Sequence, residues 1–414
     1  MKYDIRDIKL AAEGRRKIDW VAKNMPLLNS LKRDYEKKKP FKGIKISLSI
    51  HLEAKTAYLC EVLKACGAIM SVTGSNTLST KDDIAAALVK AGISTFAYHG
   101  ATDREYNKHI INCLEQKPDI IIDDGADLTA TLHKKRKNLA INVIGGCEET
   151  TTGIIRLKAM EKAGVLNFPM ANVNDAKCKH LFDNRYGTGQ STMDAIMHNT
   201  NLIIASKTVV VVGYGWCGKG IAMRASAMGA RVIVCEIDPV KALEAKMDGY
   251  EPMKMIDAAR EGDIFISATV CNKTITTEHA KYMKDGAILT NAGHFDVEVD
   301  MADFKKKAKK IFEARENIKS YILKNGKIIN IIANGKLVNI AASFGHPAEI
   351  MDMSFAVQFL AAKYILDNKE KLENKVIDVS EKIDDLISRR RLKLFKAGLD
   401  KLTAKQKEYL NSWG

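Results

Sequence analysis

The stretch TVVVVGYGWCGKGIAMRASAMGARVIVCEID, residues 208–238, decides the fold. A β-branched run at 208–212 leads into Gly213-x-Gly215-x-x-Gly218, a helical pattern follows, and a second apolar run at 232–235 ends at Glu236. This order predicts a strand, helix, strand unit of the kind that holds a dinucleotide. Gly213 permits the tight turn, Gly215 lets backbone approach a pyrophosphate, and Gly218 allows close helix packing. The helix start adds free N–H groups and the positive end of its dipole. Glu236, eighteen residues beyond Gly218, is placed to accept from an adenosine ribose diol. A carboxylate there repels a 2′-phosphate, which favours NAD over NADP.

Upstream, short apolar runs at 44–50, 69–73, 95–98, 119–122 and 140–144 alternate with helical patterns such as 54–65 and 82–91. Alternation of this kind predicts a second parallel, doubly wound sheet. Polar clusters follow the strands: His51, Glu53 and Lys55 after the first, Asn76 and Ser79 after the second, Asp123 and Asp124 after the fourth, Glu148 and Glu149 after the fifth. Ligands in open α/β sheets bind at the carboxyl ends of strands, so these segments converge on one crevice. A helical pattern at 352–368 follows the dinucleotide unit and returns the chain to the first sheet. The expected class is therefore α/β, with two doubly wound parallel-sheet domains. A Rossmann domain at 188–347 is inserted into a substrate domain formed by 1–187 and 348–385, and a helical segment follows at 386–414. The crossovers, read as hinges, fall near 186–192 and 345–347.

The chain has 414 residues, 46% of them hydrophobic and 28% charged, enough for two or three domains with substantial cores. Its net charge of +15 invites a nucleic-acid reading. The lysines are dispersed, however, and the densest blocks, Lys37-Lys38-Lys39 and Lys305-Lys306-Lys307, lack interleaved aromatics and read as solvated helix faces. No apolar run approaches the ~18 residues of a membrane helix. Neither nucleic acid nor membrane is expected as a partner. Eight cysteines without a CxxC pair or a leader-like N-terminus predict reduced thiols in a cytoplasm and no metal site.

Seven motifs then run in order along the chain: Ile121-Ile122-Asp123-Asp124-Gly125, Glu148-Glu149-Thr150-Thr151-Thr152-Gly153, Asn172-Val173-Asn174-Asp175, Phe182-Asp183-Asn184-x-Tyr186-Gly187, Gly213-Tyr214-Gly215-x-x-Gly218-Lys219-Gly220, Gly293-His294-Phe295-Asp296 and Gly345-His346-Pro347. In these the chain resembles the S-adenosylhomocysteine hydrolase family. The resemblance implies an enzyme that keeps NAD as an internal redox tool. The nucleoside 3′-hydroxyl is oxidised, the acidified 4′-proton leaves, homocysteine is eliminated from C5′, water adds and the ketone is reduced back. It implies that Lys179 and Asp183 handle the 3′-hydroxyl, with Lys179 needing burial or a nearby cation to depress its pKa enough to act as a base. Glu149 would bond the ribose diol. Asp124 and His51 would work near C4′ and C5′, with the strict C4′ base undecided, and His294 would touch the same sugar. Ser79 and His346 are also expected at the substrate. Cofactor contacts are expected from Thr150, Thr151, Thr152, Asn184, Ala292, Gly293, His294, Asn339 and His346, with Gly213, Gly215, Trp216, Cys217, Gly218, Lys219, Gly220 and Glu236 from the glycine-rich unit. A homotetramer is implied as well.

The chain departs from the family where the base is read. The usual pattern is His-x-Thr-x-Glu, whereas here it is His51-Leu52-Glu53-Ala54-Lys55. Adenine offers an acceptor at N1 and a donor at its amine; hypoxanthine reverses both. Glu53 accepting from N1–H and Lys55 donating to O6 would therefore select S-inosylhomocysteine, with S-adenosylhomocysteine as the alternative. The competing reading of this pair is a Glu53–Lys55 salt bridge that leaves the base unread. Thr188 stands where many relatives have a cysteine, and the chain ends at Gly414 without the Lys- and Tyr-bearing tail that many relatives extend into a neighbour's NAD site. That leaves retention of the cofactor across subunits open. A 2-hydroxyacid dehydrogenase, similar in architecture, is a distant third reading.

Overall fold

The computed structural model describes residues 2–413, which build two eight-stranded sheets. The first holds β1 (Tyr3–Asp4), β2 (Lys45–Ser49), β3 (Ile69–Thr73), β4 (Ser94–Phe96), β5 (Ile120–Asp123), β6 (Gly145–Glu148) and β7 (Met170–Asn172). The second holds β8 (Thr208–Val212), β9 (Arg231–Cys235), β10 (Glu251–Pro252), β11 (Ile264–Ser267), β12 (Ile288–Asn291), β13 (Lys310–Arg315), β14 (Ile318–Ile322) and β15 (Ile328–Ile332). The chain then returns to the first sheet with β16 (Val376–Asp378). The first sheet runs β1-β4-β3-β2-β5-β6-β7-β16 and is parallel throughout. Its order reverses between β2 and β5, the point where such sheets bind ligands. The second runs β10-β9-β8-β11-β12-β15-β14-β13 and reverses between β8 and β11.

Central strands read as unbroken apolar runs because both faces are covered: Ile120, Ile121 and Ile122 are fully buried, as are Val209, Val210 and Val211. Two strand expectations need correction. The second sheet is not wholly parallel, since β14 pairs antiparallel with β15 and β13 antiparallel with β14. The short link from β14 to β15 permits only a hairpin, and β13 forms an exposed edge. The strand expected at 140–144 lies instead at Gly145–Glu148, a pair of glycines having hidden it. They are there for space. A Cβ on Gly145 would lie 2.7 Å from Ile365 Cγ2, and one on Gly146 2.7 Å from Met170 Sδ.

The helix Ala54–Ala65 matches its expected limits, and the returning helix begins at Ala348, four residues earlier than expected. It buries Phe355 and Phe359 in the core beneath the first sheet. The outgoing crossover is no loose hinge. Residues Lys177–Lys179, a π-helical turn His180–Gly187 and the helix Thr188–Thr200 follow one another without a break. The glycine-loop helix Trp216–Ala227 presses on this run: a Cβ on Gly220 would sit 1.8 Å from Arg185 O, and one on Gly189 2.4 Å from Gly220 O. Among the described residues no helix is long and apolar enough to cross a membrane, and all eight thiols are free.

Candidate active site

A cavity opens where the strand ends of the two sheets meet, the place where ligands bind in open α/β sheets. His51, Glu53, Lys55, Asp124, Glu149, Lys179, Asp183, His294 and His346 all line it, with Thr150, Thr151, Thr152, Asn184, Cys217, Ala292, Gly293 and Asn339. Residues from six of the seven motifs, with the segment His51 to Lys55, thus share one wall.

The π-helical turn and the residue before it bring together Lys179, Asp183 and Asn184. Lys179 Nζ donates to Asn184 Oδ1 at 2.8 Å and lies 3.5 Å from Asp183 Oδ1 and 3.6 Å from Glu149 Oε1. Burial alone would pull the ammonium down. Asp183 and Glu149 outweigh it and hold Lys179 above its ordinary value. The expectation of a depressed Lys179 is therefore corrected for the ligand-free protein, because two carboxylates surround the amine. Asp183 is depressed, its burial overcome by Lys179 and by His346, whose Nδ1 is 3.0 Å away. Ser354 Oγ donates to the other oxygen of Asp183 at 2.6 Å. Glu149 is raised by burial against the pull of Lys179, and its Oε2 accepts from Gln358 Nε2 at 2.5 Å. Its Oε1 is buried without a hydrogen bond.

At the topological switch, His51 follows β2 and Asp124 follows β5. Ser79 Oγ hydrogen-bonds both Asn76 O at 3.0 Å and His51 Nδ1 at 2.7 Å, which fixes the ring. The other ring nitrogen of His51, Nε2, lies 3.6 Å from Asp124 Oδ2. Burial pushes His51 down to about 4, keeping it neutral. Ser75 Oγ donates to Asp124 Oδ2 at 2.9 Å, and His294 Nδ1 lies 3.7 Å from Asp124 Oδ1. The donor atoms of His51, Asp124 and His294 fall within 4.8 Å of one another, close enough to share a proton or a cation. Ser79, expected at the substrate, is 1% exposed and stands behind His51, which it orients.

Each paired acid of the sequence divides its labour. Asp123 accepts from Leu128 N, Thr129 N and Thr129 Oγ1, and Glu148 from Gly125 N, Ala126 N and Thr150 N. Both are spent on closing turns, while Asp124 and Glu149 face the cavity. Sequence reasoning missed the supports Ser75, Ser354, Gln358 and Ser191, and also Glu298, which accepts from Thr269 N and Val270 N and shapes a loop at the cavity edge. A signal existed for two of them: Ser354 and Gln358 are the polar residues, four apart, of the otherwise apolar stretch Met353–Ala362 in the returning helix.

The base-reading segment forms the start of the helix Ala54–Ala65. Glu53 caps it, accepting from Lys55 N at 3.1 Å, and Lys55 Nζ lies 2.8 Å from the same Oε2. The ion pair foreseen as the competing reading therefore exists, on a helix cap in place of an extended segment. Oε1 of Glu53 remains available, and Lys55, 6% exposed, donates also to Phe344 O at 3.1 Å. Met351 and Phe355 supply apolar wall.

The residues present fit NAD. Gly213 has φ +97, and a Cβ on Gly218 would meet Gly213 O at 1.9 Å, so both glycines are required by the backbone. A Cβ on Gly215 would meet nothing within 4 Å, leaving that backbone bare. The following helix has no side-chain cap, so its first N–H groups are free for phosphate. Thr152 Oγ1 and Asn339 Oδ1 are buried without partners, polar atoms that a cofactor would satisfy. Glu236, at the end of β9, accepts from Tyr214 N at 2.7 Å and Ile237 N at 2.7 Å, which fixes its carboxylate beside the loop. Gly213, Gly215, Trp216, Gly218, Lys219, Gly220 and Glu236 lie outside the cavity lining, which Cys217 alone of the loop reaches. Gly220 serves helix packing, and Lys219 turns to Glu244 Oε1 at 2.5 Å. Thr188 Oγ1 is 3.6 Å from Cys217 Sγ and 3.3 Å from His346 Nε2, so a thiol faces the hydroxyl from the opposite element.

Comparison with known proteins agrees with this geometry. Residues 184–345 match the model of the S-adenosyl-L-homocysteine hydrolase NAD-binding domain, and residues 2–144 match that of S-adenosyl-L-homocysteine hydrolase. The chain is 54% identical to the S-inosyl-L-homocysteine hydrolase of Methanocaldococcus jannaschii, over 99% of each chain. It is 53% identical to the adenosylhomocysteinase of Thermococcus kodakarensis, over 99% of this chain and 98% of that one. A second S-inosyl-L-homocysteine hydrolase, from Methanococcus maripaludis, is 50% identical over 99% of each. With the residues that match the NAD-binding domain lying between β7 and β16 of the first sheet, the chain belongs to the S-adenosyl-L-homocysteine hydrolase family of NAD-dependent thioether hydrolases.

Proposed function

We propose that this enzyme hydrolyses S-inosyl-L-homocysteine to inosine and homocysteine, reversibly. Relatives carrying either substrate name stand at 54% and 53% identity, so similarity does not choose between them. The observation that carries the reading is the buried Glu53–Lys55 pair on the cavity wall. A 6-oxopurine offers N1–H to Glu53 and O6 to Lys55. Adenine would set an acceptor against the carboxylate and an amine against the ammonium, each mismatch costing about 1–3 kcal/mol. The ion pair does not compete with this role, since an ammonium has three donors and a carboxylate several acceptor sites.

When bound, NAD takes up a hydride from the nucleoside 3′-carbon and returns it at the end of the cycle. The residues do the rest. Asp183 and Glu149 hold Lys179 at the 3′-oxygen. Removing the hydroxyl proton requires Lys179 in its neutral form, and Glu149, 3.6 Å away and raised by burial, is the acceptor at hand. His51 Nε2 and Asp124 meet the 4′-proton and the departing sulfur. His294, from the inserted domain, completes this group. The proposed domains are 1–187 with 348–385, 188–347 and 386–414, the last boundary falling within the helix Glu381–Leu394.

Purified holoenzyme given homocysteine and inosine should form S-inosylhomocysteine, with adenosine reacting far more slowly. Equal or faster reaction of adenosine would refute the base assignment.

A further inference from the structure

The chain returns from the second sheet through residues 343–347, and this return crossover is tied down at positions 343, 344 and 346. Ser343 Oγ donates to Asp194 Oδ2 at 2.5 Å, and His346 contacts Asp183 at 3.0 Å and Thr188 at 3.3 Å. All three of those partners belong to the outgoing crossover or the turn before it. The tie between them is different. Phe344 leaves its ring 82% exposed, yet its carbonyl accepts from Lys55 Nζ at 3.1 Å. Lys55 comes from the base-reading helix cap, 289 residues earlier in the chain. Gly345, next in line, has φ +72 and donates to Asn339 O at 2.8 Å, so the crossover turns sharply right after the held carbonyl.

Lys55 thus spends one donor on Glu53 and one on the return crossover. Its third donor remains. We infer that Lys55 is a positioning residue that couples the identity of the base to the placement of the return crossover. A 6-oxo group completes the ammonium's shell and holds the amine where it grips Phe344 O. A 6-amino group repels the ammonium from that position and releases the crossover. His346, two residues on, is the contact through which the crossover reaches Asp183, so a released crossover disturbs the sugar end. The base would then be felt in turnover as well as in binding. The coupling to the base rests on the inosyl reading; the tether itself does not.

The two are separated by measuring hydrogen exchange and kinetics on the same NAD-loaded variants. Without nucleoside, Lys55→Met should speed exchange of the Gly345 amide, which donates to Asn339 O, about tenfold, as loss of one part-buried charged hydrogen bond next to it implies, while β8 stays protected as a folding control. Lys55→Arg, which keeps a donor at the carbonyl, should restore much of that protection. With inosine and homocysteine, Lys55→Met should lower kcat about tenfold in addition to raising KM. Unchanged exchange at Gly345 in Lys55→Met would overturn the tether. Altered exchange with a change in KM alone would overturn the coupling. Faster exchange in an enzyme that prefers adenosine would refute the inosyl reading and with it the coupling to base identity, leaving the tether in place.

Discussion

The two ends of the cavity are built on different principles. At the sugar end, Lys179, Asp183, Glu149 and His346 interlock with His51, Asp124 and His294 close by, and each acid has its own supporting donor in Ser354, Gln358 or Ser75. At the base end a single ion pair, Glu53 with Lys55, sits on one helix cap. A network in which every charge sets its neighbours' protonation tolerates little change, because removing one partner leaves another buried and uncompensated. An ion pair at a helix start, joined to the sugar end only through Phe344 and the return crossover, can be exchanged with the reaction type kept, at a cost in rate. The comparison teaches that reaction type and substrate identity are separable here, and each substitution below either breaks or sharpens that separation.

The largest effect should come from Lys179→Met, which leaves Asp183 and Glu149 without their shared ammonium. We expect kcat to fall roughly 10²–10⁴-fold with inosyl and adenosyl substrates alike, read by steady-state assay. A selective loss with one nucleoside would show that the two ends are not independent. Next, the double change Glu53→Thr with Lys55→Glu should move the ratio of kcat/KM values toward adenosine by roughly 10–10³-fold while the reaction itself persists. An unmoved ratio would favour the salt bridge as a purely local feature.

Much of this was legible in the sequence. The glycine loop, the alternating runs and the acids after the strands gave two sheets and one crevice. What escaped was decided by tertiary neighbours. Gly145-Gly146 lies beyond the run expected at 140–144, because what places it in a strand is the close approach of Ile365 and Met170 to its backbone. Lys179 is expected to be depressed because burial is legible in the sequence, whereas the combined pull of Asp183 and Glu149 that outweighs it is not. Asp123 and Asp124 are indistinguishable as letters, and only the turn at Leu128 and Thr129 assigns the first to structure.

Smaller effects concern pH. Burial raises the folded Glu149 carboxyl above the usual range, so its charge is present at higher pH and lost as pH falls through that raised value. The acid limb of the kcat/KM profile should accordingly stand above that of an ordinary carboxylate, and Glu149→Gln should flatten it at a lower plateau. Smallest of all, Gln358→Leu removes a bond that lowers the Glu149 value. The same limb should then move to still higher pH, with activity at alkaline pH reduced only several-fold. A limb that moved downward would contradict the assignment of Gln358 as the support of Glu149.

The central claim is that one ion pair at the base end selects the nucleoside. It is tested most directly by a single competition, with inosine and adenosine at equal concentration, limiting homocysteine and NAD-loaded enzyme, and the two thioether products measured at early conversion. Their ratio is the ratio of the two kcat/KM values. The account predicts S-inosylhomocysteine in excess by at least about tenfold; equal amounts, or an excess of S-adenosylhomocysteine, would contradict it.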